Sequence, residues 1–292
     1  MKIKNILNGK DLVISFEFFP PKKEEMDNVL FETILKLKKF KPDFVSITYG
    51  AGGSTHEKTV DWAKRIINIY NLEVMMHLTC ISSTKDNLKS VLKELEDLSI
   101  ENILALRGDV PENNDGDACA GEFLFAVDLV SFIKEYSDFS VGVAGYPEGH
   151  NECSSIEEDI LHLKKKVDKG ADFIITQLFF DNNAFYDYQN LLEKYKINVP
   201  VLAGIMPITK YSQIIKFSEM CGVKIPEKII NKIEGKKEEE VFKIGTEYAI
   251  TQCIDLIDNN VKGLHFYTLN RSNATEKILE ALIKNKYRMT NI

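Results

Sequence analysis

The sequence predicts an α/β protein with a single domain over residues 1–292, a closed (β/α)8 or TIM barrel with additional helices. Short apolar runs rich in β-branched residues alternate with stretches of helical periodicity, as they do in a parallel sheet covered by helices. Most of these runs are spaced by roughly 30 residues, the length of one strand–helix–strand unit. No change in composition marks a second domain, so one barrel accounts for the whole chain.

Eight strands are predicted, and residues that end a strand or begin the following helix mark several of their boundaries. The first strand stops at Pro20 and Pro21, since proline cannot continue a central strand. Helices that follow the second and fifth strands begin with a Ser-x-x-Glu capping box at Ser54 and Ser155. The last interval is longer and is predicted to hold more than one helix. The predicted strands are residues 12–19, 44–49, 74–79, 103–107, 141–146, 173–179, 201–205 and 263–267.

Composition excludes several classes of protein. The net charge of −7 does not favour nucleic acid or an anionic membrane as the partner. No segment approaches the roughly 20 apolar residues of a membrane span, and residues 1–10 lack the apolar core of a signal peptide. The five cysteines contain no CxxC pair, so neither a disulfide framework nor a metal site is expected. We therefore expect a cytoplasmic protein.

Glu17 is the most informative polar residue of the predicted strands. Strand periodicity places Glu17 on one face with Ser15 and Phe19, while Phe16 and Phe18 lie on the other. Burial among aromatic neighbours would raise the pKa of the carboxyl group, and a protonated carboxyl can act as a general acid. An exposed glutamate on an edge strand is the alternative, and this segment alone does not decide between the two.

Polar residues gather at the carboxyl ends of most of the other strands and in the loops beyond them. In a barrel these ends share one face, where active sites are built, so their convergence predicts a site. Single members have simpler explanations: His77 alone resembles a satisfied core histidine, and Arg107 and Asp109 could form a structural ion pair. The gathered residues are Thr48, His77, Thr79, Arg107, Asp109, Tyr146, His150, Gln177, Tyr267 and Arg271.

Two further patterns are ambiguous from the residues alone. Asp159, His162 and Lys166 share one stripe of the helix after Ser155, where Lys166 could neutralise a phosphate and Asp159 could accept ribose hydroxyls. By themselves they favour a solvated helix face. The glycine-rich run at 50–53 precedes a helix start, yet a tight turn explains it as well as an anion site does.

Seven segments together resemble the methylenetetrahydrofolate reductase family, bacterial type. They occur in family order over essentially the whole chain, which makes the resemblance specific. The resemblance implies a barrel that binds FAD and uses NAD(P)H to reduce 5,10-methylenetetrahydrofolate to 5-methyltetrahydrofolate by ping-pong kinetics. It also implies a homo-oligomer, and we expect no C-terminal regulatory domain. The segments are FEFFPP at 16–21, SITYGA at 46–51, HLTC at 77–80, LRGD at 106–109, AGYPEGH at 144–150, ITQLFFD at 175–181 and LHFYTLNR at 264–271.

The resemblance implies a role for individual residues. Glu17 becomes the general acid that assists opening of the folate's five-membered ring, and Asp109 the carboxylate between flavin and pterin. Folate is expected to contact Asp109, Gln177, Gln213, Phe217, Tyr267 and Arg271, and nicotinamide to contact Thr48, Gln177, Phe217 and Leu269. FAD is expected to contact Tyr49, Ala51, His77, Arg107, Gly108, Asp109, Ala126, Tyr146, His150, Cys153, Asp159, His162 and Lys166. Cys153 and His162 depart from the enterobacterial pattern, which has Ala and Asn there.

Two other functions stay open at this point. One is a reductase subunit that receives electrons from a partner protein instead of NADH, and the other is a pterin-binding barrel methyltransferase without redox chemistry. The sequence contains no fingerprint of a 2′-phosphate site, so it does not separate NADH from NADPH.

Overall fold

The eight predicted strands form one closed parallel barrel, in the order β1 to β8, which confirms the predicted fold class. The computed structural model describes residues 1–21, 25, 27–48, 56–109, 121–285 and 287. Every strand pairs in parallel with the next, and β8 pairs with β1 to close the ring. The strands are β1 (Val13–Phe18), β2 (Phe44–Ile47), β3 (Val74–Thr79), β4 (Asn102–Leu106), β5 (Ser140–Gly145), β6 (Phe173–Thr176), β7 (Val201–Ile205) and β8 (Gly263–Tyr267).

One strand boundary differs clearly from the prediction. β6 ends at Thr176, three residues before the predicted end. The backbone N–H of Gln177 still donates to the Gly145 carbonyl, but the N–H of Leu178 donates to the side-chain oxygen of Gln177 and the chain leaves the sheet. Leu178 and Phe180 are buried in a separate apolar cluster outside the barrel, so their hydrophobicity reflects packing on helices and not strand pairing.

Helices cover the outside of the barrel. Ser155 caps its helix as predicted, because its hydroxyl oxygen accepts the N–H of Glu158 at 3.2 Å; the box at Ser54 lies outside the described residues. The long last interval holds three helices, α8 to α10, as expected. No helix in the described ranges is long and apolar enough to cross a membrane. The helices are α1 (Ile3–Gly9), α2 (Asp27–Lys38), α3 (His56–Tyr70), α4 (Lys85–Asp97), α5 (Ala126–Tyr136), α6 (Ile156–Asp168), α7 (Asn182–Lys194), α8 (Tyr211–Cys221), α9 (Glu227–Ile233), α10 (Glu238–Asp258) and α11 (Asn273–Lys284).

Alternation along the strands separates two apolar cores and positions the site. Phe16 and Phe18 point outward into the large core between barrel and helices. The lumen has its own core at the amino-terminal end, where α1 inserts Ile3, Ile6 and Leu7 among inward-facing residues of the strands. Since successive strand residues face opposite sides, Ser15 and Glu17 face the lumen, above this plug and towards the carboxyl-terminal mouth.

Candidate active site

Glu17 lies in the barrel mouth between two histidines. Its Oε2 is 3.3 Å from Nε2 of His77 and 3.5 Å from Nε2 of His265. The side chain of Glu17 is 17% exposed, that of His77 7% and that of His265 0%. The His265 contact has hydrogen-bond geometry, whereas Nε2 of His77 makes no hydrogen bond despite its shorter distance. Three strands, β1, β3 and β8, thus bring a carboxylate and two imidazoles together.

These contacts overturn the raised pKa expected for Glu17. Burial alone would raise the pKa, but the two neighbouring imidazoles of His265 and His77 outweigh it and lower the pKa to about 2. The expectation was wrong because it did not include the two imidazoles. The aromatic neighbours also lie elsewhere, since Phe16 and Phe18 face the helices and Phe19 is 38% exposed. In the protein without ligands, Glu17 is therefore a carboxylate at neutral pH.

The ring of His265 is held by a hydrogen bond and by two aromatic contacts. Its Nδ1 shares a 2.7 Å hydrogen bond with Oγ of Ser15, which is its neighbour across the β1–β8 pairing. The ring stacks on Phe44 at a centroid distance of 6.2 Å and meets the edge of Tyr267 at 5.4 Å. The hydroxyl of Tyr267 in turn donates to the Thr176 carbonyl at 2.7 Å. One orientation of the imidazole is fixed by these contacts.

A second group of candidate residues lines a cavity of about 310 Å³ beside the ends of β4 and β5. Asp159 is 4% exposed, and Nζ of Lys166 donates to the Ala144 carbonyl at 2.9 Å. The solvated helix face favoured by the residues alone is therefore wrong for these two, although His162 is exposed. Eight residues expected to contact FAD line this cavity: Arg107, Ala126, Tyr146, His150, Cys153, Asp159, His162 and Lys166.

Burial sets the charge balance inside this cavity. It lowers the pKa of Lys166 to about 8, although the nearby Asp159 carboxylate acts in the opposite direction. Burial likewise raises the pKa of Asp159, against the effect of Lys166. The two groups partly compensate for each other, so the cavity contains both a cation and an anion.

The guanidinium of Arg107 is engaged at the rim of the same cavity. Its two terminal nitrogens bind both carboxylate oxygens of Glu152 at 2.5 and 2.7 Å, so its partner is Glu152 and not Asp109. Asp109 is exposed. Between them Gly108 has φ +87°, and a Cβ there would lie 2.9 Å from Cβ of Thr79. Only glycine fits this turn, which positions Arg107 and Asp109 on either side of it.

A larger cavity of about 760 Å³ lies beyond β7 and β8. Tyr267, Leu269 and Arg271 line it, as do several charged residues of the surrounding helices. Asn270 fixes one edge, because its side chain bonds both the N–H and the carbonyl of Phe19 at 3.1 and 2.6 Å. The cationic lining residues are Lys36, Lys210, Lys243, Arg271 and Lys277, against the carboxylates Glu32, Glu238 and Glu239.

The remaining candidate residues are spread around the mouth. Thr48 and Gln177 follow β2 and β6 directly, and both are half-buried. Gln213 and Phe217 are one turn apart on α8, where Gln213 accepts a hydrogen bond from Thr209 at 2.9 Å and Phe217 packs on an apolar cluster. Tyr49 and Ala51 lie outside the described residues.

Comparison with known proteins agrees with this barrel and its residue pattern. The methylenetetrahydrofolate reductase family matches residues 2–283. The chain belongs to the methylenetetrahydrofolate reductase family. The 5,10-methylenetetrahydrofolate reductase of Buchnera aphidicola is 38% identical over 284 residues, 96% of this chain and 94% of that protein. The Escherichia coli protein of the same name is 37% identical over 92% of this chain and 90% of its own length.

Longer members of the reductase family match over only part of their length. The Arabidopsis thaliana methylenetetrahydrofolate reductase (NADH) 1 is 39% identical over 92% of this chain, which spans 48% of the plant protein. Among solved structures, an uncharacterised Clostridium thermocellum protein that binds two copies of 5-methyl-5,6,7,8-tetrahydrofolic acid superposes with a TM-score of 0.69 at 15% identity, covering 98% of both chains. That likeness concerns the fold.

Three residues that shape the site of this reductase family member were not predicted from the sequence. His265 lies in a matching segment and Ser15 directly precedes one, but their roles follow only once β1 and β8 are known to pair with Ser15 opposite His265. Glu152 follows His150 by two residues, and no pattern in the sequence distinguishes it from other glutamates. Arg107, its partner, was predicted to lie in the site, but no sequence spacing shows that two loops 45 residues apart meet.

Proposed function

We propose that this protein is an FAD-dependent methylenetetrahydrofolate reductase, which reduces 5,10-methylenetetrahydrofolate to 5-methyltetrahydrofolate with NAD(P)H as the electron donor. The observation that carries the proposal is the placement of Glu17. Its carboxylate is at the mouth of the barrel between two imidazoles, 3.3 and 3.5 Å away, in a chain whose family carries this name. A proton donor at the barrel mouth is what opening of the folate's imidazolidine ring requires.

The cavity beside β4 and β5 has the chemistry for FAD. Asp159 offers a buried acceptor for ribose hydroxyls, while Lys166 and Arg107 offer cations for the diphosphate. Ala105, Ala126 and Ala144 leave room along one side because their side chains are small. When bound, the flavin supplies the hydride chemistry of both half-reactions.

The chain's own residues then bind, orient and protonate the folate. Glu17 faces the lumen, where its Oε2 delivers a proton to the amine nitrogen released when the five-membered ring opens. Asp109, exposed beside Gly108, accepts hydrogen bonds from the amino-pyrimidine edge of the pterin and stabilises positive charge on the opened iminium. The cation-rich cavity beyond β8, with Arg271, Lys243 and Lys277, receives the carboxylates of the substrate's glutamate.

Ping-pong kinetics follow from shared residues. Gln177 and Phe217 are assigned to both nicotinamide and folate, and Thr48 and Leu269 complete the nicotinamide set. Two substrates that use the same side chains cannot bind at once, so NAD(P)H has to reduce the enzyme and leave before the folate enters.

The visible spectrum of the purified protein tests the proposal. We expect a yellow protein whose flavin absorbance is bleached by NADH without oxygen and restored by methylenetetrahydrofolate. A protein that takes up no FAD would contradict the proposal and favour a non-redox pterin-binding barrel. A flavin that is reduced by dithionite but not by NADH or NADPH, and is then reoxidised by the folate, would indicate electrons from a partner protein.

A further inference from the structure

The proposed function leaves the origin of one proton unexplained. Ring opening consumes a proton at Glu17, yet the neighbouring imidazoles keep Glu17 ionised in the ligand-free protein. A continuous line of side chains leads from this carboxylate into the barrel: Glu17 Oε2 to His265 Nε2 at 3.5 Å, and His265 Nδ1 to Ser15 Oγ at 2.7 Å. This line ends on a hydroxyl that is itself fully buried.

We propose that His265 is a positioning residue that holds the reaction's proton for Glu17, with Ser15 stabilising the ring in both of its protonation states. This inference rests on the proposed function, since it names the source of the proton that Glu17 delivers. Glu17 remains the group that touches the substrate, and His265 acts only through it.

The surroundings of His265 suit a group that gains and loses a proton. A hydroxyl both donates and accepts. Ser15 can therefore accept the hydrogen bond of Nδ1–H in the imidazolium and also in the neutral ring that remains once Nε2 has given up its proton. Nε2 faces Glu17 in both states, as an N–H donor in the imidazolium and as an acceptor in the neutral ring. The contacts with Phe44 and Tyr267 hold the ring plane fixed, so the change of charge needs no rotation.

The ionisable groups around the pair come from three strands. β1 contributes Glu17, β3 contributes His77, and β8 contributes Tyr267 beside His265 itself. Tyr267 stays a neutral phenol, because burial raises its pKa well above the usual value and its hydroxyl donates to the Thr176 carbonyl. β2 contributes only the hydroxyl of Ser46 and the ring of Phe44, and β7 contributes Gly204, which is paired with His265 and has no side chain.

His265 is better suited than His77 to hold the proton. Both ring nitrogens of His265 have partners within 3.5 Å, whereas Nε2 of His77 makes no hydrogen bond. His265 is also fully buried among strand residues, so its proton exchanges with the carboxylate and not directly with water.

The proton transfer balances without any further reactant. The Nε2–H bond of the imidazolium breaks as the Oε2–H bond of Glu17 forms. That bond then breaks as the substrate nitrogen gains the proton, while the electron pair of the cleaved ring C–N bond stays on that nitrogen. Neutral His265 and the Glu17 carboxylate remain, and one proton from solvent restores the starting pair before the next turnover.

The His265→Gln variant tests the proposal, because the glutamine amide can still donate to Glu17 but cannot carry a proton. Anaerobic stopped-flow separates reduction by NADH from reoxidation by methylenetetrahydrofolate. We expect reoxidation at pH 8 to slow by about 10²-fold, a usual size for general acid catalysis, and to recover as the pH is lowered. Reduction by NADH should stay within about twofold of the unsubstituted enzyme at every pH.

The shape of the pH profile separates proton storage from a structural role. Without His265 the proton must be held by Glu17 alone, so the alkaline limb of reoxidation moves to lower pH. A purely structural defect would lower the rate equally at all pH values. A profile superimposable on that of the unsubstituted enzyme, or a loss that low pH does not restore, would overturn the proposal.

Ser15→Ala gives a milder version of the same test, with Ser140→Ala as its matched control. Both serines are fully buried strand residues, but Ser140 accepts the N–H of Lys4 at the opposite end of the barrel. Only Ser15→Ala should shift the pH profile, and it should also change the ¹⁵N signals of His265 in the ligand-free protein. Equal profiles for the two variants would overturn the proposal, even if His265→Gln fails to fold.

Unsubstituted enzyme that is not reduced by NADH, or not reoxidised by the folate, would instead refute the proposed function. The two failures are thus distinguishable, because the proton-holding role is judged only against an enzyme that completes both half-reactions.

Discussion

The two ends of the barrel treat buried polar groups in opposite ways. At the amino-terminal end, Asn102 Oδ1 accepts the N–H of Ile3 at 2.7 Å, and Oγ of Ser140 accepts the N–H of Lys4 at 3.0 Å. At the carboxyl-terminal mouth, Ser46 Oγ and His77 Nε2 are buried without a hydrogen-bond partner. Both of these atoms belong to strand residues whose neighbours include Glu17, by pairing for Ser46 and by contact for His77.

This difference separates a scaffold from a site. Buried polar atoms are normally satisfied, because an unmet hydrogen bond costs about 1–3 kcal/mol. The plug formed by α1 meets that requirement and so fixes the lower half of the lumen. The mouth leaves part of its hydrogen-bonding capacity unused, which a bound ligand can satisfy. The unmet atoms beside Glu17, together with the polar strand ends that converge there, favour the mouth as the functional end.

The largest expected effect is that of Glu17→Gln on one half-reaction. Reoxidation by methylenetetrahydrofolate should fall by about 10²–10⁴-fold, because the amide has no proton to deliver. Reduction by NADH should be nearly unchanged, since it takes no proton from Glu17. Anaerobic stopped-flow measures both rates on the same preparation. Equal losses in the two would mean that Glu17 organises the mouth instead of serving as the acid.

The plug at the other end should respond to substitution in stability alone. Leu7 is fully buried in the lumen core, so Leu7→Ala should lower the free energy of unfolding by about 2–5 kcal/mol. Urea denaturation of the FAD-free protein measures this change. Both half-reactions should keep their rates at a temperature where the variant is folded. A selective loss of folate reoxidation would show that the two ends are coupled.

Acid should destabilise the mouth through Glu17. Its pKa is lowered from 4.5 to about 2 in the folded protein. The stabilisation is therefore present above the unfolded value and is lost as the pH falls from about 4.5 to about 2. Over that window the unfolding free energy should drop by up to about 3 kcal/mol more in the unsubstituted protein than in Glu17→Gln. Parallel pH dependences in urea titrations would contradict the lowered pKa.

The smallest expected effect concerns Arg107 at the rim of the predicted FAD cavity. The two terminal nitrogens of its guanidinium bind Glu152, whose side chain is 60% exposed. Glu152→Gln weakens that pair and frees the guanidinium for a diphosphate, so FAD should bind about two- to fivefold more tightly, the range for an exposed ion pair. Fluorescence titration of the FAD-free protein measures the change, with Glu158→Gln, in the first turn of α6 and outside the cavity lining, as a control. Weaker binding would mean that Glu152 orients Arg107 for the cofactor.

Much of the fold was predictable because local signals and tertiary structure agree. Residues 74–79 and 263–267 are strands both in the prediction and in the structure, since each run is apolar and is bounded by turns. The prediction that β6 extends to residue 179 was wrong, because residues buried against helices are as apolar as residues of a buried strand. The helix α1 was missed, although Ile3, Ile6 and Leu7 have helical spacing, because seven residues among lysines and asparagines gave too short a pattern.

The candidate site was predictable as a set of strand ends but not as chemistry. Glu17 was found from one strand, yet the sign of its pKa shift depends on His77 and His265, which come from two other strands. Likewise Asp159 and Lys166 were ambiguous until β5 and α6 enclosed them. Charge state is a property of the neighbours in space, and a sequence specifies those neighbours only through the completed barrel.

The bond between Ser15 and His265 has a consequence for biosynthesis. Its partners are 250 positions apart and belong to the first and last strands, on either side of the place where the ring closes. Until β8 has left the ribosome and paired with β1, the barrel is open and Glu17 lacks one of its two imidazole neighbours. The pairing of the first strand with the last is thereby also the step that completes the surroundings of Glu17.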